Sequence, residues 1–247
     1  MPQVEGAGVA LHYEERGQGR PLLVIHAMAS DAAAWEPGLD ELASAGARAI
    51  AYDRRGYGSS GAPQPYSATT VQEQAQDATA LLEALGAAPA LLVGDGFGAL
   101  IALELLVRVP HLATASVLVD LPLHAYVPAA TEILAAERFE LEQALRAGGP
   151  AAAVRAWLGE RGDDGDPAGR TRASGSYAGF FADYGGLASW SPSRRELRAI
   201  ALPVAVLTGA GSAAHIVAAA DAAAALLPAA RRVGDGDTIA AARALLA

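Results

Sequence analysis

Short apolar runs alternate with amphipathic stretches along most of the chain. Residues 9–13 read as a strand, a turn follows at Gly17-Gln18-Gly19, and residues 21–26 read as a short buried strand. A helical pattern over 35–42 leads to a further strand at 48–52. Residues 71–85 combine helical periodicity with good helix formers. The run Leu91-Leu92-Val93 enters a glycine-rich turn, and an apolar helix leaves it over 99–107. Residues 116–119 and 203–207 read as two more buried strands, and 215–227 and 238–246 as helices. Short apolar strands joined by helical crossovers predict a parallel sheet covered on both faces. Ligands of such sheets bind beyond the carboxyl ends of the strands.

The alternation breaks between Asp120 and Leu202. Residues 131–146 and 151–158 read as helices, while 159–176, rich in Gly, Asp and Arg, read as a mobile loop. Tyr177, Phe180, Phe181, Tyr184 and Trp190 then cluster. Set between two sheet strands, this segment predicts a lid over the strand ends. Packing within the lid is the favoured use of its aromatic rings over direct substrate stacking, because aromatics dominate buried area.

Composition narrows the picture. At 247 residues the chain suffices for one large α/β domain, and 52% hydrophobic against 18% charged residues is a globular balance. A net charge of -9 argues against nucleic acid or an anionic membrane as partner. The absence of cysteine excludes thiol catalysis, disulfides and Cys-based metal sites. All 18 basic residues are arginine, which with the heavy Ala and Gly usage points to a GC-rich genome. The start, Met1-Pro2-Gln3-Val4-Glu5-Gly6, lacks the pattern of a secretion signal, and no apolar run is long enough to span a bilayer. A soluble, cytoplasmic monomer or homodimer is the expectation. The five histidines form no H-x-x-x-H pair, and neither a P-loop nor a dinucleotide fingerprint is found in context, so no metal and no cofactor is expected.

The glycine-rich turn reads Gly94-Asp95-Gly96-Phe97-Gly98, the frame of a nucleophile elbow, G-x-S-x-G, with glycine in place of the serine. Further marks are His26-Ala27 after a strand, Trp35-Glu36-Pro37 at a helix start, Asp53-Arg54-Arg55-Gly56-Tyr57-Gly58-Ser59-Ser60, and Leu202-Pro203-Val204-Ala205-Val206-Leu207-Thr208-Gly209. In this order and spacing the chain resembles the α/β-hydrolase family across essentially its whole length. The resemblance implies an α/β fold with an eight-stranded, mostly parallel sheet and a helical cap inserted after the sixth strand. Residues 1–120 and 203–247 would then form the core and 121–202 the cap.

The family's chemistry uses a nucleophile, an acid and a histidine in that chain order. By resemblance those positions hold Gly96, Ser212 and Asp237, and the usual His-Gly pair reads His26-Ala27. Losing serine and histidine together removes the covalent mechanism. The oxyanion donors implied by the family are the backbone N–H groups of Met28 and Phe97, which do not depend on side-chain identity. The helix starting near Gly98 would add its positive end. Small residues at Gly96 and Ala27 would enlarge the pocket, with His26, Asp95, Ser212, Tyr126, Phe180 and Trp190 as further lining residues.

Four side chains are candidate replacements for the lost acid/base groups. Asp120 ends the strand before the lid, where some family members place their acid; it is alternatively a strand-end or capping residue. His124, at the lid entrance, is either an acid/base group or a solvated loop histidine, the latter slightly favoured. His215 follows Ser212 and is either a substitute base or a residue of a helix first turn. Asp237 is either a base raised by burial or the N-cap of the helix from Thr238. His26 is expected to be structural, Asp95 to stabilise its turn, and His12 and His111 to have no role. Three functions follow. The favoured one is a non-hydrolytic, cofactor-independent enzyme of bacterial secondary metabolism. It would orient a bulky apolar, aromatic or polyketide-like substrate for cyclisation, C–C bond formation, addition or rearrangement without a covalent intermediate. The others are a non-catalytic ligand-binding protein on the hydrolase scaffold, and a residual hydrolase that activates water in the serine's place.

Overall fold

The computed structural model describes residues 2–159, 167–187 and 190–247. Its sheet strands are β1 (Gln3–Glu5), β2 (Ala10–Arg16), β3 (Arg20–Ile25), β4 (Ala47–Tyr52), β5 (Ala90–Asp95), β6 (Ala113–Val119), β7 (Val204–Thr208) and β8 (Ala230–Asp235). They form one eight-stranded sheet in the order β1-β2-β4-β3-β5-β6-β7-β8. β2 pairs antiparallel with both β1 and β4, and every other pairing is parallel. The helices are α1 (Glu36–Ser44), α2 (Val71–Ala84), α3 (Phe97–Arg108), α4 (Ala130–Gly159), α5 (Pro167–Gly175), α6 (Tyr177–Gly186), α7 (Arg194–Arg198), α8 (Ala214–Leu226) and α9 (Thr238–Leu246).

The strand alternation divides the core in two. Leu22, Val24, Leu91, Val93, Ala205 and Leu207 face α1 and α9. Leu23, Ile25, Leu92, Leu118 and Val206 face the side of α2, α3 and α8. Because the central strands are buried on both faces, they read in sequence as continuous apolar runs rather than as alternating ones. Local signals set the helix starts. Thr70 caps α2 by accepting from the Glu73 N–H, and Ser193 with Glu196 forms a capping box on α7.

Between β6 and β7 the chain runs through α4 to α7. A bend at Gly149-Pro150 divides α4, with Gly149 at φ 76 and ψ -179, matching the two helices expected there. The expected mobile loop over 159–176 needs correction: Pro167–Gly175 is helical, and 160–166 lie outside the described residues. Proline supplies the preset first-turn φ, and Arg172 ties the helix to Asp31 of the core (Nε to Oδ2 2.6 Å). Tertiary pairing thus overrides the Gly/Asp loop signal. Among the described residues, no helix is long and apolar enough to cross a membrane.

Candidate functional site

The elbow is intact in its backbone. Gly96, between β5 and α3, has φ 52 and ψ -116, a conformation costly for any side-chain-bearing residue. Its N–H donates to the Val119 carbonyl at 2.9 Å, which ties the turn to the end of β6. Gly98 is needed for close packing, since a Cβ there would collide with the Ile25 carbonyl of β3. Gly96 is different. A Cβ built there would meet only Ala27 within 4 Å, at 3.2 Å from its methyl group, so the space in front of the turn is otherwise open among the described residues.

Two backbone donors border that space. The N–H groups of Phe97 and Met28 bond to no acceptor among the described residues. Phe97 opens α3, so its N–H also carries the positive end of the helix dipole. The Ala27 carbonyl is held by His26 Nδ1 at 2.7 Å and by Arg54 Nη2 at 3.0 Å. In a planar trans peptide the following N–H points the opposite way, so Met28 N–H is turned from the guanidinium.

Two carboxyls stand at neighbouring strand ends. Asp95 closes β5 in register with Val119 of β6, and Asp120 follows. Asp120 adopts a left-handed φ of 46 and accepts from the Gly209 N–H at 3.2 Å and the Ser212 hydroxyl at 2.5 Å. Asp120 and Ser212 are therefore brought together, as an acid-side pair rather than an acid–histidine pair. Asp95 is half-buried and has no hydrogen-bond partner among the described residues. Burial, and then the charge of Asp120, raise its carboxyl from 3.8 to about 7, with Arg54 working in the other direction. The expected role of Asp95 as a turn stabiliser is not what this geometry provides: its side chain makes no bond to the turn among the described residues.

The other candidates separate. His124 lies in a 3-10 turn at His124–Tyr126 and stacks on His215 of α8 with ring centroids 5.6 Å apart and planes 26° apart. Its Nδ1 is buried without a partner, and burial, then the neighbouring His215, pull its pKa down to about 4. It is thus no solvated loop residue. Tyr126 donates to the Pro192 carbonyl at 2.6 Å and lies under the Arg194 guanidinium, bracing the insertion's two ends. Asp237 is exposed and caps α9, accepting from the Ile239 N–H at 2.8 Å and the Ala240 N–H at 3.2 Å. Phe180 is fully buried among Trp157, Phe181 and Tyr184, and Trp190 Nε1 donates to Glu104 of α3 at 2.8 Å. Both rings pack the insertion and its seat. His26 is buried, with Nε2 accepting from the Arg54 N–H at 3.0 Å, and burial and then Arg54 hold its pKa well below the usual imidazole value.

Sequence reasoning missed the polar network under the site. Arg54 is fully buried and donates to the His26 carbonyl, the Ala27 carbonyl, Gln74 and Asp183 of α6. Asp183, also fully buried, further accepts from Gln74 Nε2 at 2.6 Å and Tyr57 Oη at 2.7 Å. The available signal was a charged residue at the variable position of the D-x-R-G motif, and a lone carboxylate in the aromatic run Phe180-Phe181-Ala182-Asp183-Tyr184. No group of three or more metal-binding side chains occurs among the described residues.

Comparison with known proteins bears on this geometry. The family model for the alpha/beta hydrolase fold matches residues 20–159. An epoxide hydrolase of Caballeronia sordidicola is 41% identical over 92 residues, 37% of this chain and 28% of the relative, so the chain spans well under two thirds of that relative. The enol-lactonase from Burkholderia xenovorans LB400 superposes with a TM-score of 0.75 at 21% identity, covering 99% of this chain and 98% of that one. A thermophilic esterase from Thermogutta terrifontis gives a TM-score of 0.75 at 22% identity, covering 99% and 94%. These likenesses to solved structures concern the fold. The names nevertheless correct the expectation of a non-hydrolytic, C–C bond-forming or cyclising biosynthetic enzyme, because the relatives and neighbours are named for hydrolysis or, as with a putative non-heme bromoperoxidase of Mycobacterium tuberculosis (36% identical over 111 residues, 44% of this chain and 41% of the relative), for peroxidase activity. With the strand order, the elbow and the family match in agreement, the chain belongs to the alpha/beta hydrolase fold family.

Proposed function

We propose that this chain is a hydrolase of uncharged esters or lactones that delivers water directly to the carbonyl carbon, with Asp95 as general base and no acyl-enzyme intermediate. The observation that carries the reading is the open space before Gly96 beside two unengaged N–H groups, with Asp95, the residue that precedes Gly96 at the end of β5, as the nearest acid in the chain. A water in that space attacks the carbonyl carbon while Asp95 takes one of its protons. The carbonyl oxygen becomes an oxyanion held by the N–H groups of Met28 and Phe97. Collapse of the tetrahedral species expels the alcohol oxygen, which takes the proton back from Asp95. The products are the acid and the alcohol, and Asp95 is regenerated. Asp120, held by Ser212 and Gly209, lies beside Asp95, and its charge raises the basicity of Asp95. Two carboxyls at the strand ends disfavour an anionic substrate.

The test is a panel of p-nitrophenyl esters and simple lactones assayed with and without a fluorophosphonate. Turnover that survives the fluorophosphonate, shows no acyl burst and disappears in Asp95→Asn is expected. Absence of turnover across the panel, or an Asp95→Asn variant as active as the parent, refutes the assignment.

A further inference from the structure

The polar network beneath the elbow joins the insertion to the oxyanion loop. Asp183 Oδ2 on α6 accepts from Arg54 Nη2 at 2.7 Å and from Tyr57 Oη at 2.7 Å. Arg54 Nη2 also donates to the Ala27 carbonyl at 3.0 Å, and Nε to the His26 carbonyl at 2.9 Å. The route ends on the Ala27–Met28 peptide. Ala29 stands at φ 53, a strained conformation for alanine that its surroundings must impose. Gln74 closes the network by accepting from Arg54 at 2.7 Å and donating to Asp183 at 2.6 Å. The seat of α6 is close: Gly179 lies against the Gly56 carbonyl and Tyr57, and Gly186 against Phe97, leaving no room for a Cβ at Gly179 without displacement.

We infer that Arg54 is a positioning residue which, only when Asp183 of the insertion is seated on it, holds the Ala27–Met28 peptide with the Met28 N–H aimed at the substrate oxygen. Seating of α6 thereby completes the oxyanion site, and lifting it withdraws one of two donors. Arg54 touches no substrate; it acts through the Ala27 carbonyl. A guanidinium is required because four acceptors in different directions must be served by one cation. The inference rests on the hydrolase reading for its kinetic consequence, but not for its geometry.

Two variants test it. Arg54→Met with Asp183→Leu removes both buried charges together, which fold stability tolerates far better than removing one. Asp183→Asn keeps the shape and removes the charge. The kinetic expectation is a kcat lowered about 10²-fold with KM within about threefold of the parent, the loss of one oxyanion donor. The second readout does not need turnover: the 15N-labelled protein is titrated with methyl phenyl sulfoxide, an uncharged hydrogen-bond acceptor, at pH 6. In the parent, the amide signals of both Met28 and Phe97 should move. In each variant that melts as a folded protein, Phe97 should still move and Met28 should not. A Met28 amide that responds equally in parent and variants, or that does not respond in the parent, overturns the inference. If the parent hydrolyses no ester while the Met28 response is lost in the variants, the hydrolase reading fails and the positioning role stands.

Discussion

Asp95→Asn separates what the carboxyl contributes to chemistry from what its charge costs the fold. The folded chain holds the Asp95 proton to about pH 7 against an ordinary 3.8, because burial and Asp120 oppose the charge. The native state thus binds this proton more tightly than the unfolded chain does. Stability from the group is present at low pH and is lost as pH rises from about 4 to about 7. The gap from 3.8 to 7, at about 1.36 kcal/mol per pH unit, is about 4 kcal/mol for a dry site. Asp95 keeps some contact with solvent, which screens about half of this and leaves about 2 kcal/mol. For a domain of this size each kcal/mol moves the melting temperature by about 2–4 °C. Asparagine, which mimics the neutral acid, should therefore melt about 4–8 °C above the parent at pH 8, with the advantage shrinking steadily toward pH 4.5. Ester turnover should fall at least about 10²-fold, and the parent's kcat/KM should rise with pH on a limb centred near 7 that the variant lacks. Differential scanning calorimetry from pH 4.5 to 8, paired with pH–rate profiles, measures both. Melting curves of parent and variant that run parallel across this range refute the electrostatic account of Asp95.

Restoring a serine should not restore a serine hydrolase. Gly96→Ser forces a side chain onto φ 52 and against the Ala27 methyl group, at a cost of about 1–3 kcal/mol, and even with Asp237→His it should remain unlabelled by a fluorophosphonate. Stoichiometric labelling contradicts this. Asp237→Ala removes two hydrogen bonds from the start of α9 and should cost about 0.5–2 kcal/mol in urea unfolding with turnover unchanged; a loss of turnover would return Asp237 to the site. His124 is held neutral, with its pKa lowered to about 4, so its contribution is present above the unfolded value of 6.5 and is lost as pH falls through 4. His124→Phe should flatten the fall in melting temperature between pH 6 and 4, and an unchanged slope refutes that origin.

What could be read from one sequence was whatever leaves a local mark. The central strands carry continuous apolar runs because both faces are covered, so β3, β5 and β7 were visible within a residue or two, and β6 was visible but begins three residues earlier than read, at Ala113. The elbow was visible because close packing against β3 requires glycine at 98. β8 was not visible: it is an edge strand that carries Arg231 and Arg232, and Arg232 is accommodated, besides the neighbouring Val233 carbonyl, by Asp221, Thr208 and the Val206 carbonyl, which lie 11 to 26 residues away. The same limit hid the chemistry. Arg54 and Asp183 are 129 residues apart, and nothing local to either announces the pair. Asp95 looked like a turn residue because its burial and the charge of Asp120 are products of the assembled sheet. Asp237, in contrast, is a cap because the helix beginning at Thr238 is local, and that alternative was legible beforehand.

The distribution of backbone strain bears on whether the site is a relic. A serine at position 96 would have to be held at φ 52 and ψ -116, and glycine removes that cost. If strain in this region served only the nucleophile, its relief at Gly96 would leave the neighbouring turns free to adopt ordinary conformations. They have not. Ala29 stands at φ 53 beside the Met28 donor, and Asp120 at φ 46 carries the carboxyl that faces Asp95. Each is of order 1 kcal/mol or more above a relaxed turn, and Asp120 is held by bonds from Ser212 and Gly209. The strain flanks the elbow on the β3 side and the β6 side, at the two places where the hydrolase reading puts an oxyanion donor and the charge that sharpens the base. Among the described residues these are the two non-glycine positions at positive φ, and the proposed water-delivering site accounts for both, whereas a remnant of the serine site accounts for neither.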